Sequence, residues 1–184
     1  MRRRAFLAAA AVTAAAPAAA LGARKPRGEV GILHEALELE LLAVYVYDAG
    51  IKSGLLDEEL VATIGGLREH EQQHAEAVGA SLEALGGARP AAPATPADVD
   101  AVLTRRKATG RLAGVATRED FLELAHEIEL LQVAGYVAAA GGLEDVRLFQ
   151  TTASIAAAQG AHLVVLRDLL GEELVPAALE TGRG

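Results

Sequence analysis

The sequence predicts an all-α protein, an antiparallel four-helix bundle with one long crossover between its second and third long helices. Three observations carry this. The 184 residues are 52% hydrophobic but only 3% aromatic, and Ala and Leu dominate, a composition that favours helix. Four long stretches place apolar residues at alternating steps of three and four, each followed by glycine. Two of the connections are short, whereas the middle one is long and rich in Gly, Ala and Pro. Short loops force antiparallel neighbours, and a single long connection gives the crossover. The length suits one domain with a real core.

The first 23 residues read as an export signal rather than as fold. Arg2, Arg3 and Arg4 precede an apolar stretch from Ala5 to Ala20, and small residues offer a cleavage site near Ala20 or Ala23. Arg3, Arg4, Phe6 and Leu7 resemble the twin-arginine motif, with an ordinary secretory signal as the alternative. Pro17 interrupts a stretch barely long enough to span a membrane, which argues against an uncleaved anchor, and with no cysteine a lipoprotein anchor is excluded.

The first helix is expected over 29–49, with Gly50 as its C-terminal cap. The second starts near Asp57, where Glu58 and Glu59 favour the positive end of the helix dipole, and stops at Gly86-Gly87. Gly65-Gly66 inside it marks a kink or a close approach. Residues 86–97 form the linker. A short helix follows, capped by Thr95 with Pro96 and Asp98, and ends near Thr109-Gly110. The third long helix begins after Thr117, with Asp120 completing the cap, and runs to Ala140 before Gly141-Gly142. The fourth covers 144–170 and stops at Gly171. The bundle thus spans 29–171, and 172–184 form an irregular tail.

Charge and cysteine content narrow the function. The net charge of −8 becomes −11 once residues 1–20, with three arginines and no acids, are removed. Such a chain seeks neither nucleic acid nor anionic lipid, so its only membrane encounter is through the export signal. Without cysteine there is no disulfide, thiolate site or iron–sulfur cluster. Haem is not expected either, and any metal must be held by carboxylate and imidazole.

The polar residues fall where the helices should be apolar. The predicted core seams read Leu33, Leu37, Glu40, Val44, Tyr47; then Ile64, Leu67, Glu71, His74, Val78; then Leu122, His126, Glu129, Val133, Tyr136; then Ile155, Gln159, His162, Leu166. The pattern occurs twice, 89 residues apart: Glu40 to Tyr47 is seven residues, as is Glu129 to Tyr136. Glu71-x-x-His74 begins 31 residues after Glu40, and Gln159-x-x-His162 begins 30 after Glu129. Taken singly, these are surface acids or ordinary core residues. Repeated on both helix pairs, they bring acids and imidazoles to one level of one core. A lone buried carboxylate costs several kcal/mol, and a divalent cation offsets it. Oxygen and imidazole donors suit iron or manganese, with zinc as a third candidate.

The segments 39–47 (LELLAVYVY), 69–74 (EHEQQH), 127–136 (EIELLQVAGY) and 159–162 (QGAH) resemble the ferritin-like superfamily, in particular its exported bacterial members with twin-arginine signals. The resemblance implies a di-iron or related carboxylate centre. Glu40 and Glu129 would be terminal ligands, Glu71 would bridge, His74 and His162 would each cap a metal, and Tyr47 and Tyr136 would stand behind them. His126 is placed in that supporting shell too. Gln159 stands where the family usually has a second bridging Glu. A neutral amide is a poor bridge, so one firm and one weakened metal position are expected. The function that follows is an exported metal-binding protein with oxygen- or peroxide-linked redox chemistry, with homo-oligomerisation left open. The competing reading is a non-catalytic structural or partner-binding bundle that has lost its metal.

Overall fold

The computed structural model describes residues 28–182. The expected export signal, with Arg3, Arg4, Phe6 and Leu7, lies outside the described residues. Among these are five α-helices and no strand: α1 (Glu29–Lys52), α2 (Glu58–Ala84), α3 (Pro96–Arg106), α4 (Arg118–Ala140) and α5 (Val146–Leu170), with a single 3-10 turn at Leu112–Gly114. Helices α1, α2, α4 and α5 form the bundle. Helix α1 packs on α2 and α4, α5 packs on α4 and α2, and α3 lies on α1. Tyr47 meets Glu129 while Glu40 meets Tyr136, so residue numbers run oppositely along α1 and α4 and the two are antiparallel.

The helix starts follow local chemistry. Asp57 accepts the Leu60 amide at 2.9 Å at the head of α2. Thr95 with Asp98, and Thr117 with Asp120, form complete capping boxes for α3 and α4. Gly171 ends α5 at φ 72°, the left-handed conformation in which a Cβ would be strained.

Three expectations at element ends and along α2 need correction. Helix α1 continues through Gly50 to Lys52. Gly50 is buried, and a side chain there would overlap the Phe121 ring, so this glycine serves close packing of α1 against α4 and does not end the helix. Helix α3 stops at Arg106, with Lys107 in the left-handed region at φ 63°. Thr109 and Gly110 instead give their amides to Glu127 of α4, at 2.6 and 2.7 Å. Helix α2 is continuous through Gly65-Gly66, and nothing lies within 4 Å of where a Cβ would be at either, so no close approach occurs there.

Several acids near the seam secure the crossover. Glu38 pairs with Arg105 and Arg106 of α3 at 2.6 and 2.8 Å, and Glu127 holds the loop after α3. Residues 171–182 lack regular structure but are tied back, since the buried Arg167 pairs with Glu180 at 2.7 Å. The apolar core is in two parts. One contains Leu42, Leu60, Ile64, Phe121, Leu122 and Leu166, the other Leu33, Leu37, Val78, Leu82 and Ile155. Tyr47 belongs to the first part and Tyr136 to the second, and the acids that these tyrosines meet lie at the level between. No helix among the described residues is long and apolar enough to cross a membrane.

Candidate metal centre

Each of the four bundle helices sends polar groups into that level. Glu40, Glu71, Glu129 and Gln159 are each 0% exposed and His162 3%, whereas His74 is partly exposed. Seven residues is close to two helical turns, so Glu40 and Tyr47 share one face of α1, as do Glu129 and Tyr136 on α4. The antiparallel packing lets each tyrosine reach across to the other helix's acid. Tyr47 donates to Glu129 Oε1 and Tyr136 to Glu40 Oε1, both at 2.5 Å. The repeat in the sequence is therefore a reciprocal pair of hydrogen bonds.

Helix α2 supplies the centre of the cluster. Glu71 Oε1 lies 3.0 Å from His162 Nδ1 and 3.5 Å from His74 Nδ1. His74 Nδ1 is 3.6 Å from Glu40 Oε2, and His162 Nδ1 is 3.3 Å from Glu129 Oε1. Two groups result, Glu40 with Glu71 and His74, and Glu71 with Glu129 and His162. In each, the ligand-type atoms lie within 4.8 Å of one another, and Glu71 is common to both.

Two residues that the sequence pattern does not flag complete the cluster. Gln132, 1% exposed, donates through Nε2 to Glu71 Oε2 at 2.6 Å and to Glu40 Oε2 at 3.1 Å. His70, exposed on α2, brings its Nδ1 to 3.0 Å from His162 Nε2, with the two rings inclined by only 10°. Gln159 faces inward and donates to Glu71 Oε2 at 3.1 Å. His126 stands elsewhere: its charged neighbours are Glu172, Arg167 and Glu180, and its pKa is lowered mainly by burial.

Electrostatics follow from this crowding. Burial raises Glu40 well above the usual carboxylate range, and the Glu71 charge adds to it. Burial and Glu71 likewise push Glu129 up to about 7. Burial would raise Glu71 too, but the His162 and His74 imidazoles outweigh it and hold the carboxyl well below its ordinary range. Burial would lower the imidazoles, yet Glu40 and Glu71 bring His74 up to about 9, and Glu129 and Glu71 bring His162 up to about 10. Tyr47 and Tyr136 are raised by burial and by their acid partners, so both phenols stay protonated and donate. Protons on the two imidazoles thus offset two of the three acids, and burial favours a proton on Glu40 itself.

These protons do not complete the hydrogen bonding. Among the described residues six buried side-chain polar atoms lack a hydrogen-bond partner, and five are here: Glu71 Oε1, His74 Nδ1, Glu129 Oε2, Gln132 Oε1 and Gln159 Oε1. The imidazole contacts of Glu71 are near enough for charge attraction but not aligned as hydrogen bonds. Folded proteins rarely leave such atoms unsatisfied, and their concentration in one place points to an ion or water. The spacing suits a cation. Bonds of about 2.0–2.2 Å put neighbouring donors about 3.0 Å apart at octahedral angles and about 3.4 Å apart at tetrahedral ones. The four carboxylate–imidazole contacts run from 3.0 to 3.6 Å.

Beside the cluster, a groove of about 550 Å³ runs between α1 and α4. Ile32, Ala36, Leu39, Gly135, Gln132 and Tyr136 are among its lining residues.

A family model described as a ferritin-like domain matches residues 28–172. No curated protein matches the chain. Among solved structures, the crystal structure of a conserved hypothetical protein from Mycobacterium tuberculosis is similar, with a TM-score of 0.65 and 18% identity over 82% of this chain and 96% of that one. At that identity the likeness concerns the fold alone.

Proposed function

This chain belongs to the ferritin-like domain family, and we propose that it is an exported metal-binding member. In this reading the two groups that share Glu71 would hold two divalent ions, iron or manganese before zinc. The observation that carries the reading is the set of five unpartnered buried polar atoms in a cluster of three acids and two imidazoles. Glu40, Glu71 and His74 would hold one ion, and Glu71, Glu129 and His162 the other. Bound iron or manganese supplies redox chemistry toward oxygen or peroxide.

The chain's own residues do the rest. Tyr47, Tyr136 and Gln132 orient the carboxylates. The imidazole protons leave as metal enters, so binding strengthens as pH rises. The apolar layers on both sides keep the three acids buried. A small molecule in the groove between α1 and α4 would meet Gln132 and Tyr136, the side chains that hold Glu40. Export by the twin-arginine route, which carries folded proteins, fits a chain that loads its metal first.

Metal analysis of the chain after reconstitution with Fe²⁺ or Mn²⁺ tests the reading. Binding approaching two ions per chain is expected, and a clearly substoichiometric content ends it. Gln159→Glu is the companion test: a fourth carboxylate beside Glu71 should raise occupancy and oxygen consumption. The second reading, a bundle held by a metal-free network, is favoured by the Gln132 and Gln159 amides that already satisfy Glu71 Oε2. It requires that metal neither bind nor raise the melting temperature.

A further inference from the structure

We propose that Gln132 makes the two metal positions unequal, so that the position formed by Glu71, Glu129 and His162 fills before the one formed by Glu40, Glu71 and His74. This rests on the metal-binding reading above and reverses the order expected if Gln159, which precedes His162 on α5, weakened the group that contains His162. Helices α1 and α4 are nearly symmetric about the cluster. Glu40 corresponds to Glu129 and Tyr47 to Tyr136, and the two tyrosine bonds are reciprocal. Three residues after Glu129 stands Gln132, and three after Glu40 stands Ala43. Both are buried at 1% exposure, but only Gln132 carries a donor.

The consequence is visible at the acids. Both oxygens of Glu40 are engaged, Oε1 by Tyr136 at 2.5 Å and Oε2 by Gln132 at 3.1 Å. Glu129 receives Tyr47 and faces His162 on Oε1, while Oε2 has no partner. A cation at the second group meets a carboxylate with one oxygen free of any donor, although the oxygen that faces His162 also accepts from Tyr47. A cation at the first must share or replace an amide hydrogen bond to a buried acid. The contacts agree: His162 Nδ1 lies 3.0 and 3.3 Å from its two acids, and His74 Nδ1 lies 3.5 and 3.6 Å from its own. His162 is also backed by His70 at 3.0 Å, and outer partners of this kind fix ring orientation at metal sites. Gln159 does not choose between the positions, because the oxygen it reaches belongs to Glu71, which both share.

The test is a Mn²⁺ titration of the metal-stripped full chain, followed by the paramagnetic resonance signal of free Mn²⁺ and by calorimetry. The wild type should bind in two steps, the first at least about tenfold tighter, the lower end of what outer-shell contacts are worth at metal sites. Glu40→Gln should keep the tight step and Glu129→Gln should remove it. Gln132→Met keeps the length without the donor, and Gln132→Ala copies Ala43. Both should narrow the gap between the steps by about tenfold, and agreement between them separates the lost donor from a packing change. Equal losses in Glu40→Gln and Glu129→Gln, or an unchanged gap in both Gln132 variants, would overturn the ordering while the wild type's binding leaves the metal reading intact. A wild type that binds no Mn²⁺ overturns both.

Discussion

Around Glu40 every carboxylate oxygen has a hydrogen-bond donor, whereas around Glu129 one oxygen has none. The two groups use the same residue types and share Glu71, yet their surroundings differ. The imidazole of the first, His74, is partly exposed, while that of the second, His162, is buried and backed by a surface histidine. Residue types therefore do not by themselves set the character of such a group. The donors behind the acids decide which oxygens are free, and a glutamine at 132 where the other helix has Ala43 is one source of the difference.

The largest effect is expected where the halves cannot be separated. Glu71→Gln should lower affinity at both positions together, by more than the about 100-fold that loss of an outer-shell partner costs at most. It should also destabilise the metal-free protein by about 3–5 kcal/mol, because two charged imidazoles lose their common partner. Isothermal titration and denaturant melts read both effects. Loss at one position alone would break the picture of a shared acid.

Next come the tyrosines. Tyr47→Phe and Tyr136→Phe each remove one donor to a buried acid, and each should cost about 1–3 kcal/mol in a denaturant melt. Similar values would sharpen the reciprocal picture, and a cost in only one would break it.

The pH dependence comes third. In the metal-free protein His74 is raised to about 9 and His162 to about 10. A raised folded-state pKa gives stability that is full below the unfolded value of about 6.5 and is lost as pH climbs through the folded value. The metal-free melting temperature should therefore fall between pH 7 and 10. With metal in place of those protons the fall should be smaller, so the gap between loaded and metal-free melting curves widens with pH. A gap that narrows over that range would contradict the assignment of these imidazoles.

The smallest effects contrast two histidines. His70→Ala should weaken only the His162 position, by about tenfold. His126→Gln should leave both positions unchanged, since its charged neighbours lie at the tail.

Those two histidines also mark how far the sequence could be read. Glu40, Glu71, Glu129, Gln159 and His162 were legible because helical register places them on the buried faces, and all five are buried. The repeat that exposed them hid Gln132, whose counterpart is Ala43, so the partner that unbalances the site is the one that breaks the pattern. His70 lies off the seam on an exposed face, and only the approach of α5 to α2 gives it a role. His126 has the register of a supporting residue, but near it lie Arg167 and the tail, which no periodicity in α4 announces. Gly50 shows the same limit in the fold. A glycine after a helical stretch signals either a cap or a close approach, and Phe121, distant in sequence, decides for the second.

The most direct measurement is anomalous diffraction at the manganese edge from crystals of the chain loaded with Mn²⁺ in steps. A first peak is expected among Glu71, Glu129 and His162, and a second among Glu40, Glu71 and His74 at higher loading. Density confined to other parts of the surface, with Glu71 still held by Gln132 and Gln159 and no peak in the cluster, would contradict this expectation.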